Sequence, residues 1–257
     1  AKGIDYVSDL ALLNVKDLKT IVQWNNEMGI KLFRLSSQIF AWSDEYKLSD
    51  LKDYDEICSM MFEIGKIATD ANQRLTMHPG PYNCLASPNQ KVVEKTIREL
   101  NCHSEQFNML GFKPSNYNKI NIHVGGAYGD KKGTLERFCK NFELLNDDTK
   151  KRLVIENDDS PNEYSVKDLF DGIYQTIGIP ITFDYFHHKF NTGGLTEEEA
   201  LKMAAITWPE GIAQCCHYSE SRRKEKLDES IRPQAHSDII YEKIQTYGLE
   251  PDIVIEA

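Results

Sequence analysis

Apolar positions along the chain alternate between two periods. Amphipathic stretches with a 3.6-residue repeat are separated by short, β-branched apolar runs that end in a polar residue. The clearest run is Ile-Pro-Ile-Thr-Phe-Asp-Tyr-Phe-His-His, residues 179–188, which predicts a buried strand with Asp184 and His187 where the chain leaves it. Strands are also predicted over 31–37, 74–77, 119–123, 152–156, 211–217 and 252–256. Helices are predicted over 10–28, with Leu18, Ile21, Val22 and Met28 on one face, and over 53–71, with Ile57, Met60, Met61, Ile64 and Ile67 inward. Ser87-Pro88 reads as the cap of a helix running to about Leu110. Further helices are expected over 134–145 and 165–176, after a Thr196/Glu199 capping box, and around Ile239, Ile240 and Ile244.

Seven strands alternating with helices predict a parallel α/β fold with right-handed crossovers. The length of 257 residues suits one (β/α)8 TIM barrel. Since the chain begins on a helix, the first barrel strand is expected upstream of Ala1, and residues 1–257 read as a single domain. No apolar run reaches the roughly 18 residues of a membrane span. The six cysteines form no C-x-x-C pair and read as reduced thiols of an intracellular protein, in the cytoplasm, nucleoid or nucleus. The formal charge of −10 argues against a surface basic throughout, but leaves room for a local basic groove.

The strand ends carry the chemistry. They place His78, His123, Glu156, Asp184 with His187, His217 and Glu256 on the face where barrel loops converge, with His236 close behind. A single histidine there is more often structural, and a single carboxylate is often a helix cap. Repetition at successive strands favours a ligand set for two or three transition-metal ions, with Glu156 or Glu256 bridging. His103, inside a helical pattern, reads as structural. His188 points away from His187 if the strand pleat persists. Clustered divalent ions suit hydrolysis of a phosphodiester, and a histidine-rich set favours Mn2+ or Zn2+. Sugar isomerisation is the competing barrel chemistry.

The series Phe33-Arg-Leu-Ser-Ser37, His78-Pro-Gly-Pro-Tyr82 with Ala86-Ser-Pro88, Ile122-His-Val-Gly-Gly126, Val154-Ile-Glu-Asn-Asp158, Phe183-Asp-Tyr-Phe-His-His188, His217-Tyr-Ser219, Arg232-Pro-Gln-Ala-His-Ser-Asp238 and Asp252-Ile-Val-Ile-Glu256 resembles, in order and over nearly the whole chain, the UV damage endonucleases. These belong to the xylose-isomerase-like barrel superfamily. The resemblance implies a metal-dependent endodeoxyribonuclease that nicks damaged double-stranded DNA on the 5′ side of photoproducts, expected to act as a monomer. It implies that His78, His123 and Glu156 hold one ion, that Glu156, Asp184, His217 and Glu256 hold a second, and that His187 and His236 hold a third. Glu156, Glu256, His187 and His236 are the expected catalytic centre. Tyr82 matches the aromatic member of a lesion-probing pair, whose ring can wedge against unpaired bases or pack beside the metal loop. Trp42 either stacks on a base or fills a gap, and Arg222, Arg223 and Arg232 either contact phosphate or form a solvated loop.

The chain departs from the family pattern at several points. Pro81 stands where the probing pair commonly has a Gln, Cys215 where some members have a Lys, and Asp44 or Glu45 where a further histidine is common. An AP endonuclease or other phosphodiesterase, and a non-catalytic damage-binding protein, are the alternatives.

Overall fold

The computed structural model describes residues 3–256. The chain forms an α/β structure whose strand pairs are parallel. It divides into two compact units. One comprises the described residues of Ala1–Asn83, Asn89–Ile122 and Phe142–Leu153; the other those of Cys84–Pro88, His123–Asn141 and Val154–Ala257.

In the first unit, α1 (Gly3–Glu27) leads to β1 (Leu32–Leu35), α2 (Tyr54–Asp70), β2 (Arg74–Met77), α3 (Gln90–Met109) and β3 (Ile120–Ile122). Strand β1 pairs with β2 from Leu32 opposite Arg74 to Leu35 opposite Met77, and Met77 continues the ladder to Ile120. All four β2 residues are buried, as in a parallel strand covered on both faces. Helix α1 starts earlier than the apolar period predicts. It buries Ser8, Ala11, Val15, Leu18, Val22 and Asn25, a stripe with three- and four-residue steps. Ile21 and Met28, expected inward, fall at the stripe's edge and are exposed.

Helix α2 buries Ile57, Met61, Ile64, Gly65 and Ala68, leaving Met60 and Ile67 half-buried. Helix α3 is capped by Asn89 rather than Ser87. The Asn89 backbone is extended, and its side chain accepts a 3.0 Å hydrogen bond from the Lys91 amide, so the helix begins two residues later than expected.

The second unit contains most of α4 (Lys131–Phe142) and of β4 (Leu153–Glu156); α5 (Asp147–Lys150) lies in the first. Helix α6 (Val166–Leu169) opens with a Ser165/Asp168 capping box, widens into a π-type turn over Phe170–Tyr174, and continues as α7 (Gln175–Ile177). The widening occurs where Gly172 meets Leu135, whose Cδ1 stands 2.5 Å from where a Cβ would lie. Then come β5 (Ile181–Thr182), α8 (Tyr185–His188), α9 (Glu197–Ala205), β6 (Cys215–Tyr218), α10 (Arg222–Lys226) and β7 (Asp252–Ile255). The Thr196/Glu199 capping box opens α9 as predicted. Strand β4 pairs with β5, β6 with β7, and a single parallel bridge joins Asp184 to His217.

Three expectations need correction here. Strand β6 starts at Cys215, not Gly211, because Gly211 has φ +79° and the Ile212 amide turns back to Pro209 O. Strand β5 stops at Thr182, so no pleat separates His188 from His187; both lie on one helical turn. No helix forms around Ile239–Ile244. Ser237 Oγ donates to the Ile239 carbonyl and accepts from its amide, bonds that compete with a helical backbone, and Ile239 is exposed.

All six cysteines are free thiols. Among the described residues no helix is long and apolar enough to cross a membrane.

Gly65 is the most closely approached glycine of the first unit. A Cβ there would lie 1.8 Å from Leu110 O. Gly65→Ala is therefore expected to lower the unfolding free energy by about 1–3 kcal/mol despite the better helix propensity of Ala. Urea denaturation measures this, and an unchanged midpoint would contradict the close α2–α3 approach.

Candidate metal centre

The second unit gathers its strand-end residues into one buried group. Glu156 ends β4, His217 lies within β6, and Glu256 follows β7. His217 Nδ1 lies 3.1 Å from Glu156 Oε2 and 3.1 Å from Glu256 Oε1. Glu156, Asp184 and His217, all buried, each offer a ligand atom, and these atoms lie within 4.8 Å of one another.

The two oxygens of Asp184 differ in their surroundings. Its Oδ1 accepts a 2.7 Å hydrogen bond from the His187 amide, capping α8 and bending the chain out of the sheet. Its Oδ2 is buried without a hydrogen-bond partner among the described residues. Burial, reinforced by the nearby charges of Glu156 and Glu256 and opposed by His187, pushes the Asp184 carboxyl up to about 7.

His187 approaches the group from the α8 turn, its Nδ1 3.5 Å from Glu156 Oε1. That nitrogen also lies 2.9 Å from Asn157 O. A carbonyl only accepts, so Nδ1 carries the proton, and in the neutral ring Nε2 keeps its lone pair. His123 stands 5.7 Å away, ring to ring, with Nδ1 2.8 Å from Asp158 Oδ1 and Nε2 3.8 Å from Glu156 Oε2. Burial opposes protonation of His123, but Glu156, Asp158 and Asp184 outweigh it and raise the imidazole to about 10. The His236 ring lies 6.4 Å from that of His187 and edge-on to Phe186; burial, then the His187 charge, holds it below its ordinary value. His188 is buried, packs on the Phe183 ring and is also lowered by burial.

Two residues that the strand-end pattern overlooked organise this group. The Asn157 side chain accepts from the Asp184 amide at 2.9 Å and donates to its carbonyl at 3.1 Å, while its own carbonyl orients His187. Asp158 orients His123 as the outer carboxylate of a metal–histidine pair does. Their signal was present as the Asn-Asp pair directly after Glu156.

The donor set fits a divalent cation. Buried carboxylates and imidazoles supply the oxygen and nitrogen ligands such ions take, and Asp184 Oδ2 has no hydrogen-bond partner among the described residues.

In the first unit, His78 is half-buried just after β2, with Nδ1 3.1 Å from the neighbouring Pro79 carbonyl. Pro81 and Tyr82 are exposed, Tyr82 at 88%. Trp42 is exposed and holds a left-handed backbone, φ 56°. Asp44 pairs with Lys95 at 3.2 Å, and Glu45 is exposed. His103 is fully buried, as a structural histidine should be. In the second unit, Cys215 is fully buried. Arg222 pairs with Asp238, Arg223 with Glu229 at 2.9 Å, and Arg232 with Asp159 at 3.5 Å. Lys224 and Lys226 meet Glu242 and Glu225. The basic stretch is thus matched by carboxylates of its own unit.

Parallel strands alternating with helices, and buried carboxylates and imidazoles at the strand ends, define an α/β protein with a candidate metal centre. The chain belongs to the UV-endonuclease UvdE family, whose model matches residues 1–257. It is 38% identical over 249 residues to a UV-damage endonuclease of Schizosaccharomyces pombe, covering 93% of this chain but only 40% of that relative. The crystal structure of SacUVDE matches with a TM-score of 0.86 at 31% identity, covering 100% of this chain and 84% of that one. D-Psicose 3-epimerase from Clostridium cellulolyticum H10 matches with a TM-score of 0.55 at 14% identity, over 79% of this chain and 68% of its own; at that identity the likeness is one of fold alone. The fold is accordingly TIM-barrel-like.

In metal-free protein, Asp184 and His123 both hold protons more tightly folded than unfolded, so stability falls as pH rises. The Asp184 contribution is complete below its ordinary value of 3.8 and is lost through about 7. That of His123 is complete below 6.5 and is lost through about 10. Chelated protein is expected to melt at progressively lower temperature as pH rises from about 6 to 9, and addition of a divalent cation to release protons into weak buffer. Binding with no proton release would count against these groups as the site.

Proposed function

We propose that this chain is the catalytic part of a DNA repair enzyme, a metal-dependent endodeoxyribonuclease that hydrolyses the phosphodiester on the 5′ side of UV photoproducts in duplex DNA. The observation that carries the reading is the buried Glu156–Asp184–His217 cluster with its unsatisfied Asp184 Oδ2, in a chain of the UvdE family. The single family match, unbroken over residues 1–257, supports treating them as one domain.

Two to three Mn2+ or Zn2+ ions would lower the pKa of a bound water and neutralise charge on the reacting phosphate. Glu156 would be the ligand shared between ions, a reading supported by its two oxygens facing His217, His123 and His187. By motif, His78 and His123 would help hold one ion, Asp184, His217 and Glu256 a second, and His187 with His236 a third. Asn157 and Asp158 hold the imidazoles so that ligand lone pairs point inward. Glu256, His187 and His236 line the reaction centre beside Glu156.

Damaged DNA is read by Tyr82, exposed on the loop after His78-Pro-Gly, with Pro81 shaping that loop. Trp42 supports the same role: a bulky residue held at positive φ costs about 1–3 kcal/mol, and such strain concentrates at functional sites. Arg222, Arg223 and Arg232 reach phosphate by exchanging their present carboxylate partners. Pro81 favours a second reading, an AP endonuclease, because it lacks the amide of the usual probing residue.

Incubating metal-loaded protein with irradiated, unirradiated and abasic duplexes separates these readings. The first predicts nicking of the irradiated duplex above both others; faster cutting of the abasic duplex favours the second, and equal or absent nicking of all three sinks both. Glu156→Gln is expected to lower nicking on the order of a thousandfold, several kcal/mol of lost transition-state stabilisation, with duplex affinity within about threefold. Near-normal nicking by that variant refutes the bridging role. Tyr82→Ala should reduce the preference for irradiated DNA while leaving bound metal, measured by atomic absorption, unchanged.

A further inference from the structure

The loop bearing Pro81 and Tyr82 is held from beneath by side chains of α3. Asn83 is buried, and its amide Nδ2 donates to Gly80 O at 3.2 Å and to Glu99 Oε1 at 2.8 Å. The Asn83 backbone amide closes the same turn onto Gly80 O at 3.1 Å. Both partners of Nδ2 can only accept, so the amide has one permitted orientation, which leaves Asn83 Oδ1 buried without a partner among the described residues. Behind Glu99 stands the buried His103, its Nε2 3.7 Å from Glu99 Oε1 and its Nδ1 3.3 Å from Gln106 Nε2. Glu99 and His103 lie four residues apart, one turn of α3.

We propose that Glu99 and Asn83, backed by His103, are positioning residues that lock the Gly80–Asn83 turn and hold Tyr82 outward as a preset probe. A wedge inserted into a duplex loses less on binding if its backbone is ordered beforehand. Tyr82 makes no packing contact that would do this, since it is almost fully exposed. The order therefore comes from the residue that follows it. A charged acceptor strengthens the Asn83 bond relative to a neutral one, and its position on a long helix makes it a rigid anchor. The link to lesion reading rests on the function proposed above; the locking of the turn does not.

Hydrogen exchange of the free, metal-loaded protein tests the lock. Glu99→Ala is expected to speed exchange of the Asn83 amide by about tenfold, the effect of losing one charge-assisted hydrogen bond. Glu99→Gln keeps an acceptor at the same place and should restore exchange to within about threefold of the parent. Asn83→Ala should speed exchange of the amide at position 83 by a similar factor, and the double variant Glu99→Ala/Asn83→Ala no further. Unchanged exchange in Glu99→Ala, no rescue by Gln, or additive effects in the double variant would each overturn the proposal. On irradiated duplex, Glu99→Ala should raise KM about tenfold with kcat unchanged, and Glu99→Gln should not. Exchange that behaves as expected in a protein that nicks no duplex would overturn the function while leaving the locked turn standing.

Discussion

The structure of the second unit depends on one constraint: the carboxylates of Glu156 and Glu256 converge on His217, with the buried carboxylate of Asp184 beside them. Desolvation and mutual repulsion disfavour three negative charges in such a place. These surroundings make the Asp184 carboxyl and the His123 imidazole hold protons more tightly than usual. Much of the surrounding detail follows. Asn157 and Asp158 hold the groups that share this charge, so the strand ends cannot relax apart.

The surface that would meet DNA is organised differently. The 222–232 stretch, conspicuous for its cations, is interleaved with carboxylates that pair with them. It supplies groups able to switch partner rather than a field that attracts from a distance. Tyr82 and Trp42, the aromatic residues proposed to read the duplex, are both exposed. Reading by shape and stacking, rather than by bulk charge, also agrees with a chain of net charge −10.

Much of this was legible in the residue pattern. Seven apolar runs with polar ends anticipated seven strands, because a buried parallel strand leaves a strong, short-range signal. Boundaries were less legible, since they are decided by single hydrogen bonds: Asn89 over Ser87 at α3, or Ser237 against a helix at Ile239. Asp184 was ambiguous between cap and ligand because residue identity cannot divide two oxygens between two roles. His188 was set aside on the argument of a pleat, and the structure keeps it out of the cluster for another reason: a helical turn, with the ring packed on Phe183. Asn157 escaped because its work is done through backbone contacts with a strand far along the chain.

The Asp184 cap also constrains length. Asp184 Oδ1 bonds the amide of His187, three residues on, and one helical turn then delivers the imidazole to the Asn157 carbonyl. Adding one residue within that turn would rotate the ring by about 100° around the helix axis, away from both partners. The Asp-Tyr-Phe-His stretch is therefore a spacer as much as a source of candidate ligands. Phe186 and Tyr185 could change within the limits of packing, but the count between the carboxylate and the imidazole could not.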